Sequence, residues 1–400
     1  MANKCPSTIM KRIKKIVFPL LYMANTIFCN ANNVMIEGFN YKLDADTQSA
    51  EVIYSGLTYK GDIVLPSTIV YENITYDVTS IGEEAFYKQY QLNTIKIPNS
   101  ITSIGHNAFK YCVALSTITI PNHVNIIDVG AFEECSSLDK VIIGENVKVI
   151  AESAFANCLK LSSIIIPNSV VTIGSSAFSG CIMLSSVVIG ENVEKIERAA
   201  FARCSKLSSI IIPDKVTSIG FYCFAECKNL SSVTIGNSVK EIGGYAFSKC
   251  ENVESISIPD NVVHIKERAF QYCKNLKAIY VGAGIHMIDQ YAFFPCANLT
   301  DVYCYSVNPP IIGQHAFSRL DATLHVPETS LEIYKSNGAW NQFGNIVALS
   351  EEETSINCIP LGQRKNTMFY SIGGVPISHP QKGVNIVHFP DGSIKKIMKW

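Results

Sequence analysis

A phenylalanine recurs at positions 86, 109, 132, 155, 178, 201, 224, 247, 270 and 293, ten times at a spacing of 23 residues, and Phe317 follows one residue late. Four hundred residues would otherwise suggest two or three domains. A fixed period in this range instead makes each unit one turn of a solenoid, whose apolar layer is buried only against the turns on either side. One elongated domain therefore fills most of the chain.

The other apolar positions keep a constant offset from the phenylalanine. After Phe155 come Leu161, Ile164 and Ile166, then Pro167, Val170, Ile173 and Ala177 before the next Phe178. Alternation at Ile164 and Ile166 is strand periodicity, and Pro167, or Gly144, Gly190, Gly236 and Gly282 in other repeats, ends the run. The isoleucine at 173 recurs without substitution from Ile104 to Ile288. The expected fold is a solenoid of about eleven coils with parallel strands stacked side by side, mostly β and irregular.

Leu161-x-x-Ile164-x-Ile166 fits the first half of a leucine-rich repeat. The asparagine usual three residues further on is patchy, kept as Asn146, Asn192 and Asn261 but replaced by Ser100, Ser169 and Lys215. With its AF-x-x-C-x-x-L opening and I-P-x-x-V-x-x-I-G close, the repeat resembles the BspA-type leucine-rich repeats of Bacteroidetes surface proteins and some mucosal protozoa. The resemblance covers roughly residues 60–350. It implies a concave sheet built from the strands, short turn segments outside it, and host-surface or matrix binding.

Cysteines at 112, 135, 158, 181, 204, 227, 250, 273 and 296 each follow the repeat phenylalanine by three residues. Stacked strands lie about 4.7–4.9 Å apart. Parallel side chains in such a row do not readily reach disulfide torsions, and nine would leave one over. They read as buried thiols filling the core.

The ends differ from the repeats. Lys11, Arg12, Lys14 and Lys15 precede an apolar run, Ile16 to Phe28, and small residues at Cys29-Asn30-Ala31, so residues 1–31 read as a signal peptide. No apolar run long enough to span a membrane follows. Residues 32–61 read as a β-hairpin cap, 62–320 as repeats, and 321–350 as a C-terminal cap with Thr329 or Ser330 starting a short helix and Trp340 and Phe343 over the core. Asn308-Pro309-Pro310 is expected to break the coil. A polar linker, 351–365, leads to a β tail, 366–400, with a turn at Pro390-Asp391-Gly392. The tail resembles the C-terminal β-segments of exported Bacteroidetes proteins, with Ser371 where an acidic residue is usual; a plain accessory β-module is the other reading.

Basic and acidic residues number 33 and 34, without the footprint of a nucleic-acid binder. No G-x-S-x-G, H-E-x-x-H, phosphate loop or calcium loop occurs, and the histidines lack ligand spacing, so no enzyme, metal or cofactor is expected. The residue between the two inward strand positions must point outward. Coil by coil, that position holds Lys96, Thr119, Ile142, Ile165, Val188, Ile211, Thr234, Ser257, Tyr280 and Tyr303, with Ser163, Ser186, Ser209 and Ser232 beside it. An apolar stripe (Ile142, Ile165, Val188, Ile211) with a polar rim and two tyrosines is a partner-binding pattern. The expectation is a secreted or surface-held adhesion module for a protein or glycan of a host matrix or other microbes. Self-association is the rival reading, and a secreted enzyme the remote one.

Overall fold

The computed structural model describes residues 33–318, 320–350 and Glu353, and, as backbone alone, the strands Met368–Ser371, Pro376–Ile377, Gly383–His388 and Ile394–Lys399. The signal-peptide segment lies outside these residues, as do nearly all of the linker and the turn at 390–392.

The repeats wind into a parallel β-solenoid of about twelve turns with almost no helix. Each coil has three sides. One carries a short strand such as Ser163–Ile165; the second a two-residue strand such as Thr172–Ile173; the third the turn bearing the phenylalanine and cysteine. The sequence pattern leads to turn segments on the second side, and the structure has a strand there instead. Its ladder is the longest in the molecule, running unbroken from the Ile81 rung to Ile311–Ile312. The invariant isoleucine column is its inward row: Ile104, Ile127, Ile150 and their successors are buried while the residue before each faces out.

On the third side, eleven phenylalanine rings from Phe86 to Phe317 stack at centroid separations of 4.9 to 5.5 Å. One coil cannot bury such a ring; its neighbours supply both faces. The thiols lie beside this stack, buried and unpaired as disulfides. Each donates to the phenylalanine carbonyl of the preceding coil, as Cys158 Sγ does to the Phe132 carbonyl at 3.3 Å and Cys181 Sγ to that of Phe155 at 3.2 Å. Burial pushes the thiols of Cys181 and Cys296 up to about 12. In the first coil Gln89 takes the cysteine position. No coil precedes it, so its buried amide serves the cap, accepting from the Tyr59 N–H at 2.8 Å and donating to the Leu57 carbonyl at 2.8 Å.

The strand side is less uniform. Strand-ending residues alternate along the middle coils: Pro121, Gly144, Pro167, Gly190, Pro213, Gly236, Pro259, Gly282. A Cβ on Gly144, Gly190 or Gly236 would run into the carbonyl oxygen of the proline one coil before, so only glycine fits. The residue after the proline then reaches across: Asn168 Oδ1 accepts the Glu191 N–H at 2.9 Å, and Asp214 Oδ1 the Asn237 N–H at 2.8 Å. Each proline coil is thus tied to the glycine coil after it. Between pairs the ladder opens: Ser163–Ile165 bonds Ser186–Val188, and Ser209–Ile211 bonds Ser232–Thr234, as separate sheets. Proline has no N–H to return to the coil before it. Where Tyr305 stands in its place, the N–H reaches the Val281 carbonyl at 3.0 Å and the ladder continues.

The N-terminal end is closed by three antiparallel strands rather than a two-stranded hairpin: β1 (Asn33–Ile36), β2 (Phe39–Asp44) and β3 (Ser49–Ile53). The last pairs in parallel with the strand Ile74–Ile81, so the cap continues the two-residue ladder. Phe39 and Tyr59 cover the first ring of the stack, Phe86.

At the other end, Asn308-Pro309-Pro310 does not break the coil. The one-residue insertion is absorbed between Cys304 and Ile311, and Phe317 stacks on Phe293 at 5.3 Å. Phe343 and Trp340 cover Phe317, and the indole N–H donates to the Pro310 carbonyl at 2.8 Å. Helix α1 (Leu331–Ser336) begins at Ser330, but that hydroxyl makes no capping bond; a 3-10 turn, Glu328–Ser330, leads into the helix instead. The four terminal strands form a separate antiparallel sheet in which Gly383–His388 lies between Met368–Ser371 and Ile394–Lys399.

Candidate functional site

The residues read as outward from strand alternation are outward in the structure. Ile142, Ile165, Val188 and Ile211 are 48, 69, 54 and 68% exposed, while Ile164 and Ile210, one residue before, are each 2% exposed. Consecutive coils place these four side by side, Ile165 directly opposite Val188. The serines one residue before the flanking ones tie coil to coil: Ser185 Oγ donates to the Ser162 carbonyl at 3.1 Å and Ser231 Oγ to that of Ser208 at 3.2 Å. Towards the N-terminus the row turns polar, with Lys96 and Thr119 exposed and Thr94 Oγ1 donating to Asp62 at 2.7 Å.

Towards the C-terminus it turns aromatic. Tyr280 and Tyr303 stack at 4.6 Å, and Tyr303 stacks on His325 at 4.2 Å. Burial against these neighbours raises the Tyr303 hydroxyl well above its ordinary range, so it stays a neutral phenol. His325 Nε2 shares a hydrogen with Asp301 Oδ1 at 3.0 Å, and its Nδ1 faces Glu353 Oε1 at 3.8 Å. Strand reading alone did not single out His325. It stands between the inward Leu324 and Val326, in the same outward position as the residues above, and that alternation was the signal available.

The row therefore runs from polar to apolar, turns polar again at Thr234 and Ser257, and ends aromatic. Among the described residues no three His, Cys, Asp or Glu side chains gather where they could hold a metal ion, and no helix is long and apolar enough to cross a membrane.

Stacked coils with a strand on one side, a continuous buried core of Leu, Ile and Val from the L-x-x-I-x-I positions and an outward row of this kind define a leucine-rich-repeat solenoid. The profile of the family described as "BspA type Leucine rich repeat region" matches six copies over residues 79–208 and 194–323, more than half of the chain. The chain belongs to that family. It is similar to the solved structure of a leucine-rich cell surface protein from Faecalibacterium prausnitzii, with 26% identity over 81% of this chain and 96% of the other and a TM-score of 0.50. It shares its fold with a leucine-rich repeat protein from Bacteroides ovatus, with 24% identity over 79% of this chain and 99% of the other and a TM-score of 0.57. No curated protein sequence matches it.

Proposed function

We propose that the chain is a cell-surface interaction protein that binds a protein partner through the outward row of its strand side. The observation that carries this reading is the set of four exposed aliphatic residues in four consecutive coils, Ile142 to Ile211, bordered by serines. Isolated exposed apolar residues need no explanation, but a contiguous patch with a polar rim is what partner surfaces have. The tyrosines at 280 and 303 extend the row with side chains common at binding hot spots. The F. prausnitzii relative is described as a cell surface protein, which supports placing this chain there too. Aliphatic side chains match a protein surface better than a sugar, so a protein of a host matrix or another microbe is favoured over a glycan.

The test is a binding screen of the full chain against matrix proteins and mucin glycans, beside the double variant Ile165→Lys/Ile211→Lys. Both residues are exposed, so the variant should fold normally by circular dichroism. Loss of a hit in the variant supports the reading; unchanged binding removes the row from consideration.

A further inference from the structure

A second surface lies on the phenylalanine side of the coil. Two residues before each stacked phenylalanine the backbone is held at positive φ, 52 to 62° in eleven successive coils. Side chains from these positions form a column, and the column changes character at its midpoint, Ala199. On the N-terminal side it holds Glu84, Asn107, Gly130, Ser153 and Ser176; on the C-terminal side, Tyr222, Tyr245, Arg268, Tyr291 and His315.

The bulky half is locked. Tyr222 stacks on Tyr245 at 4.5 Å, the Arg268 guanidinium lies 5.5 Å from the Tyr245 ring and 4.9 Å from that of Tyr291, and Tyr291 stacks on His315 at 5.6 Å. Phe221 meets both Tyr222 and Tyr245 edge-on, in space that a Cβ on Gly244 would invade. Because ring faces are spent on one another, the strip offers ring edges, hydroxyls and a guanidinium in fixed positions. Tyrosine and arginine so held lose little freedom on docking, which suits a protein rather than a sugar-stacking platform. The small half is bordered by acids: Glu83 and Glu84, then Glu133 beside Gly130, and Glu152 beside Ser153.

We propose that this side docks a second copy of the chain, antiparallel, about a two-fold axis that lies in the contact plane at Ala199. The inference goes beyond the strand-side reading and uses a different side of the coil. A rotation about that axis lays each bulky residue over a small one of the second copy: Tyr222 over Ser176, Tyr245 over Ser153, Arg268 over Gly130, Tyr291 over Asn107, His315 over Glu84. Large meets small, and the Arg268–Glu267 pair, 3.2 Å apart, comes over the Lys110–Glu133 pair, 2.8 Å apart, with Glu152 beside it, so that opposite charges of the two copies can join in one network. Both copies have the same coil spacing, so the register holds from coil to coil, which an unrelated partner could not match. Such a contact is isologous, each copy giving both halves. Arg198, next to the axis, leans onto the Phe221 ring at 5.2 Å and so points away from its own symmetry mate.

A residue on a two-fold axis faces itself, and that gives the test. In the full chain with Cys5, Cys29 and Cys358 replaced by serine, Ala199→Cys should form a covalent dimer under mild oxidation. Ser176→Cys alone should not, while Ser176→Cys with Tyr222→Cys should. The parent should sediment with twice the chain mass, and Arg268→Glu should return it to the monomer with an unchanged circular dichroism spectrum. A parent that stays monomeric through the micromolar range, with no cross-link in Ala199→Cys or the 176/222 pair, overturns the proposal. Equal cross-linking by Ser176→Cys alone overturns the register. The strand-row double variant should dimerise as the parent does, so failure of one reading is distinguishable from failure of the other.

Discussion

The phenylalanine side and the strand side of the same coils are built on different units. On the first, coil repeats coil: ring on ring from Phe86 to Phe317, and thiol to the carbonyl before it from Cys112 to Cys296. On the second, coils come in two kinds, and backbone pairing stops after the glycine coils that end at Gly144, Gly190 and Gly236. The difference comes from one atom. A residue with an N–H can bond to the coil before it and proline cannot. The strand side therefore opens before the short strands ending at Pro167, Pro213 and Pro259, while the longer strand leading to Pro98 still pairs with Lys60–Val64. A 23-residue period in sequence therefore hides a two-coil period in structure.

The largest expected contrast between the sides is in packing. Phe201→Ala removes a fully buried ring from the middle of the stack and should cost about 3–5 kcal/mol. Ile211→Ala, on the exposed strand row, should stay within about 0.5 kcal/mol. Urea unfolding of the two variants measures both, and equal losses would mean that the stack is not the support of the fold.

Next in size is the glycine rule. Gly190→Ala drives a methyl against the Pro167 carbonyl and should destabilise by about 1–3 kcal/mol. If the alanine is accepted without loss in the same measurement, the pairing of proline coils with glycine coils has another cause.

The smallest effect belongs to the thiols and sharpens the contrast by pH. Cys181 is pushed up to about 12 from an ordinary value of 9.0, because burial disfavours the thiolate. The sign follows: the unfolded chain deprotonates first, so the contribution is complete below pH 9.0 and falls away as pH rises towards about 12. One unit above the ordinary value, this thiol alone should lower stability by about 1.4 kcal/mol. Urea midpoints should drop between pH 9 and 10 in the parent and drop less in Cys181→Ala.

Much of this architecture is legible in the residues. The period of Phe155, the alternation of Ile164 and Ile166 and the spacing of Cys158 lead to the stack, the strand and the buried thiols without any coordinates. The outward placement of Ile165 and Ile211 follows from the same alternation. What escapes is whatever depends on the neighbouring coil. A two-residue strand such as Thr172–Ile173 is too short to leave a periodicity of its own, and only its ladder makes it a strand. Gln89 reads as an ordinary polar residue until the missing preceding coil explains its amide. His325 joins Tyr303 through stacking across 22 residues of sequence, in the one stretch where the period slips.

The proline and glycine coils also bear on how such a chain changes length over generations. Copying errors in repetitive genes insert or delete whole repeats, and the core would accept any number of them, since every phenylalanine finds the same neighbours. The strand side would not be indifferent. An even number of coils preserves the order of proline after glycine, whereas an odd number sets like against like. The molecule contains two such junctions already: between the coils ending at Pro98 and Pro121 the strands pair through a single residue, Thr94 with Thr117, whereas Pro66 against Pro98 is carried by the longer strands Lys60–Val64 and Gln91–Lys96. Inheritance should therefore favour growth by twos.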